Sequence, residues 1–429
     1  MKQMRIRNII IPACIFILFA GVYIFIAVFM PPDRVVYCPN HDCHGHNTEI
    51  IETPPESHPL PNENWSYFKC LDCRTVSAAD FKVDNLLTQP VWDIKHYQSI
   101  AERGYEKHAC DPNKHWPIGD ICGNVGWFPA WPGVVKLLSL NNTRIGMMLL
   151  PFLITFFGII VFYNVILKLA KESIAILSTL ALVSAPTAFY LLTGFPYAFI
   201  LLCFSGYLYF LYSEKPKGRP LILPALAIII SLSYPTGFLT AIIPLVMLIN
   251  NYRRRLMMPG IGEISQDFLF YILPFAVGPL ALSLYYLFAF DDFFLFTHFQ
   301  DKYDRNWGIP FIVMWKSLLQ TPTWDTGLFM PPRLAYEKLA LVYYGLIFVI
   351  FPPYRIKPEL LAYGILFYLF SPATGNIVSV YRHYIILFPL AMIIGASPRP
   401  LWLKIIFIAA GLFLSLYYFY PFFLNGYLV

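Results

Sequence analysis

Long apolar runs, several of them separated by short loops with clusters of basic residues, constrain this sequence more than any other feature. Membrane helices need about 20 predominantly apolar residues. Only 13% of the residues are charged, whereas soluble domains have about 25%. The sequence therefore predicts an all-α polytopic membrane protein. We place eleven apolar runs near residues 9–29, 145–168, 173–191, 196–212, 220–233, 235–250, 267–289, 338–352, 359–371, 383–397 and 405–424.

The positions of Lys and Arg in short loops predict the orientation, because such residues collect on the cytoplasmic side. With a cytoplasmic N-terminus and eleven spans, the basic clusters all fall on that side, and the net charge of +6 is no signal of nucleic-acid binding. All nine histidines then lie outside, as does a large first loop. The segment 220–250 is short for two passes, so a broken or re-entrant helix pair is an alternative.

Two close pairs of cysteines mark the beginning of the first outer loop. Cys38 and Cys43 are spaced Cys-x4-Cys, and Cys70 and Cys73 are spaced Cys-x2-Cys. Four thiolates in two pairs are typical of a structural Zn²⁺ site. An oxidising outer compartment would instead favour two disulfides, and free thiols are a third possibility. Possible substitute zinc ligands are His41, His44 and His46.

The second half of the loop contains a polar stretch that begins at Trp92. A helix there puts Asp93, His96 and Tyr97 on one face, since residues three and four apart are neighbours. A carboxylate next to the membrane can take a proton from a hydroxyl. The alternative for Asp93 is a helix N-cap or a salt bridge to Lys95 or Arg103. Further along the loop, Cys110 and Cys122 enclose a short segment and predict a disulfide.

Two motifs stand in this loop. They are Trp92-Asp93-x-x-His96-Tyr97-x-x-Ile100-Ala101-x-x-Gly104-Tyr105 and Phe128-Pro129-x-Trp131-Pro132. Together they resemble the signature of PIG-V-type mannosyltransferases, which are membrane glycosyltransferases of the GT-C class. The resemblance covers residues 1–30 and 76–429, and the Cys-rich segment looks like an insertion. It implies a polyprenyl- or dolichyl-phosphate-linked sugar donor, typically of mannose, with Asp93 as the general base.

The chemistry of the individual residues agrees with this resemblance. Inverting transfer to an alcohol needs one carboxylate as base, while the phosphate leaving group needs nearby cations rather than an acid. Family members carry an Arg-Tyr-like element at the position of Arg382. The planar guanidinium of Arg382 can bind a lipid phosphate through two N–H groups. The alternative is that Arg382 snorkels to the membrane interface. His383 could share the phosphate, and Lys302 and Arg305 are second candidates.

Other residues of the motif region have two interpretations each. His96 and Tyr97 could orient Asp93 or bind acceptor hydroxyls, or they could simply pack. Glu102 could bind substrate or be a solvated side chain. The aromatic run suits an interfacial helix at headgroup level, with sugar stacking as the alternative; it comprises Trp127, Phe128 and Trp131.

Two short elements differ from those common in relatives of this family. Ala198 follows Gly194-Phe195-Pro196-Tyr197, where relatives often have an acidic residue. Tyr234 precedes Pro-Thr-Gly, where relatives often have arginine.

The sequence divides into four parts under this interpretation. They are a first transmembrane anchor (1–30), a Cys-rich extracytoplasmic insertion (31–75), an extracytoplasmic catalytic loop with interfacial helices (76–144), and a transmembrane bundle (145–429) with outer loops 290–337 and 371–383.

The predicted function is transfer of a sugar, mannose by resemblance, from a lipid-phosphate donor to a glycolipid, glycan or protein hydroxyl, with no catalytic cofactor. A lipid-linked sugar flippase or transporter is a rival, although it would place charged residues inside the spans. A non-catalytic receptor with a Cys-rich binding module is a second rival. The segment after the last span carries no retention signal, which favours a prokaryotic plasma membrane over the ER, with the active site outside.

Overall fold

The computed structural model of the chain describes the apolar helices, part of the first outer loop and the connections that join them. The described residues are 6–29, 34–37, 48–51, 67–70, 74–77, 93–110, 121–140, 142–213, 219–254, 260–301, 307–319, 333–353, 356–375, 377 and 379–423.

Helices dominate the described residues, which confirms the expected helical class. In chain order they are α1 (Arg7–Phe29), α2 (Asp93–Arg103), α3 (Ala130–Leu138), α4 (Thr143–Leu169), α5 (Glu172–Val183), α6 (Tyr197–Leu211), α7 (Arg219–Ser233), α8 (Ile242–Arg253), α9 (Ile261–Asp267), α10 (Leu273–Phe290), α11 (Leu295–Gln300), α12 (Pro310–Leu319), α13 (Arg333–Ile350), α14 (Pro358–Ala373), α15 (Val380–His383), α16 (Phe388–Ala396) and α17 (Leu401–Phe423).

Short antiparallel strands are confined to the segment between α1 and α3 in the described part of the chain. β1 (Arg34–Tyr37) pairs with β4 (Arg74–Ser77), and β2 (Thr48–Ile51) pairs with β3 (Tyr67–Cys70). The second pair is nested in sequence inside the first. β5 (Lys107–Ala109) pairs with β6 (Ile121–Gly123), directly after α2.

Four of the described helices are long and apolar enough to cross a membrane: Arg7–Ile26, Thr143–Leu169, Ile261–Phe290 and Leu401–Phe419. The third joins α9 to α10 through a π-helical turn. Shorter apolar helices include α5, α6, α7 and α12. The chain therefore has the helices of a membrane protein, and the count of eleven spans stays a prediction.

The core of the bundle is built from α4, α5, α6, α7 and α16. Helix α4 packs on α5 and α6, α6 packs on α7, and the sequence-distant α16 packs on α5. Three of the connections in this core are not simple loops. A 3₁₀ turn (Ala188–Leu192) joins α5 to α6, a second (Gly237–Ala241) joins α7 to α8, and α15 with a third (Tyr384–Ile386) joins α14 to α16. The segment 220–250 is thus a broken helix pair.

These three interruptions are buried inside the protein. Irregular backbone in an apolar environment is tolerated only where protein or a cavity satisfies its polar groups. Here side chains do so: Thr187 donates to the Tyr381 carbonyl at 2.9 Å, and Trp131 donates to the Gly194 carbonyl at 2.7 Å. The interruptions are therefore specific structural elements, and the third carries Arg382, which contacts the first residue of α2.

Candidate active site

Helix α2 carries Asp93 as its first residue and lies on the bundle through one apolar face. Ile94, Tyr97 and Ile100 are buried on that face, at the spacing of neighbours on a helix. The helix closely approaches the first helix interruption, between α5 and α6. A Cβ on Gly194 would lie 2.9 Å from the Ile94 side chain, so a larger residue there would push α2 outward.

The C-terminal end of α2 is fixed by a glycine and an asparagine. Gly104 has a φ of 85°, the left-handed conformation that commonly ends helices and that glycine adopts without a steric penalty. The Asn124 side chain accepts from the Glu106 amide at 2.8 Å and donates to the Gly104 carbonyl at 3.0 Å. The predicted disulfide between Cys110 and Cys122 is confirmed, and it joins the ends of the β5–β6 hairpin.

Asp93 meets the predicted phosphate-binding arginine. Nη1 of Arg382 lies 2.8 Å from Oδ2 of Asp93, and the two side chains are 12% and 21% exposed. Nε of Arg382 has no hydrogen-bond partner within the described ranges. The guanidinium presents five N–H donors, so an ion pair through one nitrogen leaves donors for a further anion. The structure thus brings together Asp93 and Arg382, and their roles as base and phosphate ligand stay predictions.

Aromatic hydroxyl groups surround this ion pair. Tyr97, Tyr190 and Tyr197 all interact electrostatically with Arg382. The Tyr197 and Tyr234 hydroxyls are 3.2 Å apart, and the Tyr234 hydroxyl also contacts Nδ1 of His383. Hydroxyls can both donate and accept, so this lining can bind a polar ligand of either kind.

Tyr97 remains a neutral hydroxyl in this site. Burial raises its pKa well above the usual value, and the negative charge of Asp93 raises it further. The Tyr97 side chain is therefore protonated at physiological pH, and it can donate a hydrogen bond beside the carboxylate.

Phe195 provides a further contact with the arginine. The guanidinium carbon of Arg382 lies 5.9 Å from the Phe195 ring centroid, within the distance at which a cation and an aromatic face attract each other. Phe195 and Tyr197 both come from the interruption between α5 and α6.

His96 and Glu102 contact residues other than Asp93 and Arg382. The His96 ring stacks on Trp127 with centroids 3.6 Å apart, which agrees with the packing interpretation. Glu102 accepts from Gln98 at 2.8 Å and contacts the Thr143 hydroxyl. The structure does not bring Glu102 to Asp93.

The aromatic run after α2 is buried in the protein, which corrects the expectation of a headgroup-level anchor. Trp127, Phe128 and Trp131 all belong to the core. The Trp131 indole donates to the Gly194 carbonyl, so its polar atom is satisfied at a helix interruption instead of at a lipid headgroup.

Several predicted residues lie outside the described residues. They include Lys302, Arg305 and three of the cysteines, Cys38, Cys43 and Cys73, while only the backbone of Cys70 is described, at the end of β3. Among the residues whose positions the structure gives, no cluster of three or more His, Cys, Asp or Glu side chains could hold a metal ion. The choice between zinc and disulfides stays a prediction.

Sequence reasoning missed Tyr190, Tyr197 and Tyr234 as lining residues. The signal was present in part, because the elements around Tyr197 and Tyr234 were the two departures from the family pattern. Both segments could have been found from the Pro and Gly residues that interrupt the apolar runs between short spans.

Comparisons with known proteins give structural likenesses alone, with eight matching chains of solved structures. No protein-family model matches the chain, and no curated protein matches it. The fold is similar to the crystal structure of the Archaeoglobus fulgidus oligosaccharyltransferase in the apo form, with a TM-score of 0.46 and 11% sequence identity. The alignment covers 99% of this chain and 56% of the other, so the chain spans about half the length of that structure.

Proposed function

We propose that this chain is a membrane glycosyltransferase that moves a sugar, mannose by motif resemblance, from a polyprenyl- or dolichyl-phosphate donor to an acceptor hydroxyl. The observation that carries the proposal is the ion pair between Asp93 and Arg382. A carboxylate and a guanidinium from distant parts of the chain meet in a partly exposed, hydroxyl-lined site, and these are the two charged groups that such a transfer requires.

In the proposed reaction, Asp93 is the general base and Arg382 binds the phosphate. The acceptor hydroxyl passes its proton to a carboxylate oxygen of Asp93, and its oxygen forms a bond to the anomeric carbon. The bond from that carbon to the phosphate oxygen breaks, and the electron pair stays on the lipid phosphate. Attack opposite the leaving group inverts the anomeric configuration.

Charge development explains why an arginine would stand next to the base. The donor phosphate carries one negative charge as a diester and gains a second as it leaves. A preorganised cation stabilises that second charge in the transition state. The guanidinium has N–H donors besides the nitrogen that faces Asp93, while the ion pair with Asp93 holds the side chain in place.

The direct test uses purified protein in proteoliposomes with a labelled polyprenyl-phosphate mannose. We expect lipid phosphate to form together with mannosylated acceptor lipid or with free mannose. GDP-mannose is the matched donor control, and we expect no transfer from it. Movement of the intact donor across the bilayer without cleavage would support the flippase, and binding without cleavage or movement would support a receptor.

We propose separately that Cys38, Cys43, Cys70 and Cys73 hold one structural Zn²⁺, on the basis of their paired spacing. Such a metal would stabilise a segment that is Pro-rich and poor in apolar residues. Elemental analysis should find about one zinc per chain, and replacement of the four cysteines by serine should remove it. Intact S–S bonds in a mass spectrum without metal would favour two disulfides.

A further inference from the structure

A buried carboxylate outside the predicted motifs contacts the backbone just before Arg382. Glu337 lies on α13 and is 1% exposed. Its Oε1 accepts the Ser379 amide at 2.5 Å, and its Oε2 lies 3.4 Å from the Tyr381 amide. A buried charge is costly unless hydrogen bonds satisfy it. These two amides therefore help to stabilise the buried carboxylate of Glu337.

Ser379 adopts a conformation that needs such support. Its φ is 65°, in the left-handed region that non-glycine residues adopt only where the surrounding structure holds them. The Ser379 carbonyl in turn accepts the amides of Arg382 and His383, both at 3.2 Å. The backbone of Ser379 therefore determines where the Arg382 side chain begins.

The same turn is held from the opposite side by the first helix interruption. Thr187 donates its hydroxyl to the Tyr381 carbonyl at 2.9 Å. Tyr381 is fully buried, and its backbone is thus bound at the amide by α13 and at the carbonyl by the segment before the 3₁₀ turn. These contacts fix the residue directly before Arg382.

We propose that Glu337 is a positioning residue for Arg382: it holds the strained turn at Ser379 so that the guanidinium meets Asp93 and the donor phosphate. The expected effect of Glu337 on donor kinetics rests on the proposed glycosyl transfer. The effect passes through the backbone, because Glu337 contacts the amides of the turn and the arginine is bound to Asp93.

Donor kinetics provide the first test, with Glu337→Gln as the variant. Glutamine keeps the volume and one acceptor oxygen, but its amide nitrogen cannot accept the second N–H. We expect the KM for polyprenyl-phosphate mannose to rise about tenfold, which is the effect of about 1.4 kcal/mol, with the acceptor KM nearly unchanged. An equal change in both KM values would indicate general damage to the fold.

Glu359→Gln is the matched control. Glu359 is also a buried glutamate, 5% exposed, and it accepts from the Tyr212 hydroxyl at 3.0 Å near the start of α14. It has no contact with the turn at Ser379 in the described structure. We expect a similar loss of thermal stability from this variant and no change in the donor KM.

A second test does not depend on turnover. Thermal unfolding of Asp93→Asn, Glu337→Gln and the double variant forms a double-mutant cycle. If Glu337 holds Arg382 against Asp93, the loss of Tm in the double variant should be smaller than the sum of the single losses. Asp93→Asn combined with Glu359→Gln should give an additive loss.

The two tests separate this proposal from the proposed function. Absence of sugar transfer by the wild-type protein would overturn the function, and the thermal cycle would still decide the role of Glu337. Additive losses together with an unchanged donor KM would overturn the positioning role. If Glu337→Gln does not fold, Thr187→Val is the second variant, because it removes the other contact of the turn. Its loss of Tm should be non-additive with that of Asp93→Asn, whereas the loss from Thr187→Ser, which keeps the hydroxyl, should be additive. Additive losses for Thr187→Val would overturn the proposal.

Discussion

The two ends of α2 carry carboxylates with opposite surroundings. Asp93, at the first residue, faces the bundle and forms an ion pair with Arg382. Glu102 follows it by two and a half turns at 3.6 residues per turn, so it faces the other way. Its side chain is 36% exposed, and it lies 3.7 Å from Arg103. Both acids belong to the same motif region, and only the groups that face them distinguish a candidate base from a surface residue.

The largest expected effect is at the buried end of the helix. Asp93→Asn removes the proton acceptor but keeps the shape of the side chain. We expect single-turnover sugar transfer to fall by about two to four orders of magnitude, the usual contribution of a positioned base. Circular dichroism and Tm establish that the fold is retained. Near-normal turnover in this variant would end the assignment of Asp93 and remove the contrast with Glu102.

The next effect concerns the partner of Asp93. Arg382→Lys keeps the charge but loses the planar fork, so we expect weaker donor binding with part of the rate retained. Arg382→Ala should lose more of both, because it also leaves the Asp93 carboxylate without its cation. Titration with polyprenyl phosphate measures the donor affinity. Unchanged affinity in the alanine variant would leave Arg382 as a structural partner of Asp93 only.

Part of this contrast follows from sequence alone. The spacing of Asp93 and Tyr97 predicts their common face, and the resemblance assigns roles to Asp93 and Arg382 without predicting that the two residues touch. Local sequence patterns predict no further contacts of the site, because the remaining contacts join segments that are far apart in the chain. Tyr197 and Tyr234 reach the site through helix interruptions whose meeting depends on packing, and no periodicity encodes that meeting.

Buried polar residues outside motifs were the hardest to foresee. Glu337 lies at the edge of an apolar run, where a sequence pattern cannot distinguish a buried acceptor from a solvated acid. The aromatic run at Trp127 shows the same limit. Its composition suits a membrane interface, but in the fold Trp131 donates to a carbonyl of the bundle.

A smaller effect is expected from the hydroxyls around the ion pair. Tyr234→Phe removes the contacts with Tyr197 and His383 and keeps the ring. We expect the catalytic efficiency for the donor, kcat/KM, to fall about three- to tenfold, in line with one or two hydrogen bonds. Tyr212→Phe, which loses a hydroxyl bonded to Glu359, is the control and should be nearly unaffected. Equal losses in both variants would indicate a general effect of hydroxyl removal on the bundle.

The smallest expected effect is at the exposed end of α2. Glu102→Gln removes a charge whose ion pair is solvent-screened, and such pairs contribute about 0–1 kcal/mol. Arg103 does not depend on it, since the pKa of Arg103 is raised chiefly by its hydrogen bond to Glu106, 2.8 Å away. We therefore expect sugar transfer within about twofold of wild type, because the energy at stake is at most that of one surface pair. The same single-turnover assay measures it beside Asp93→Asn. A loss of activity as large as that of Asp93→Asn would mean that the whole helix, rather than its buried face, determines the chemistry.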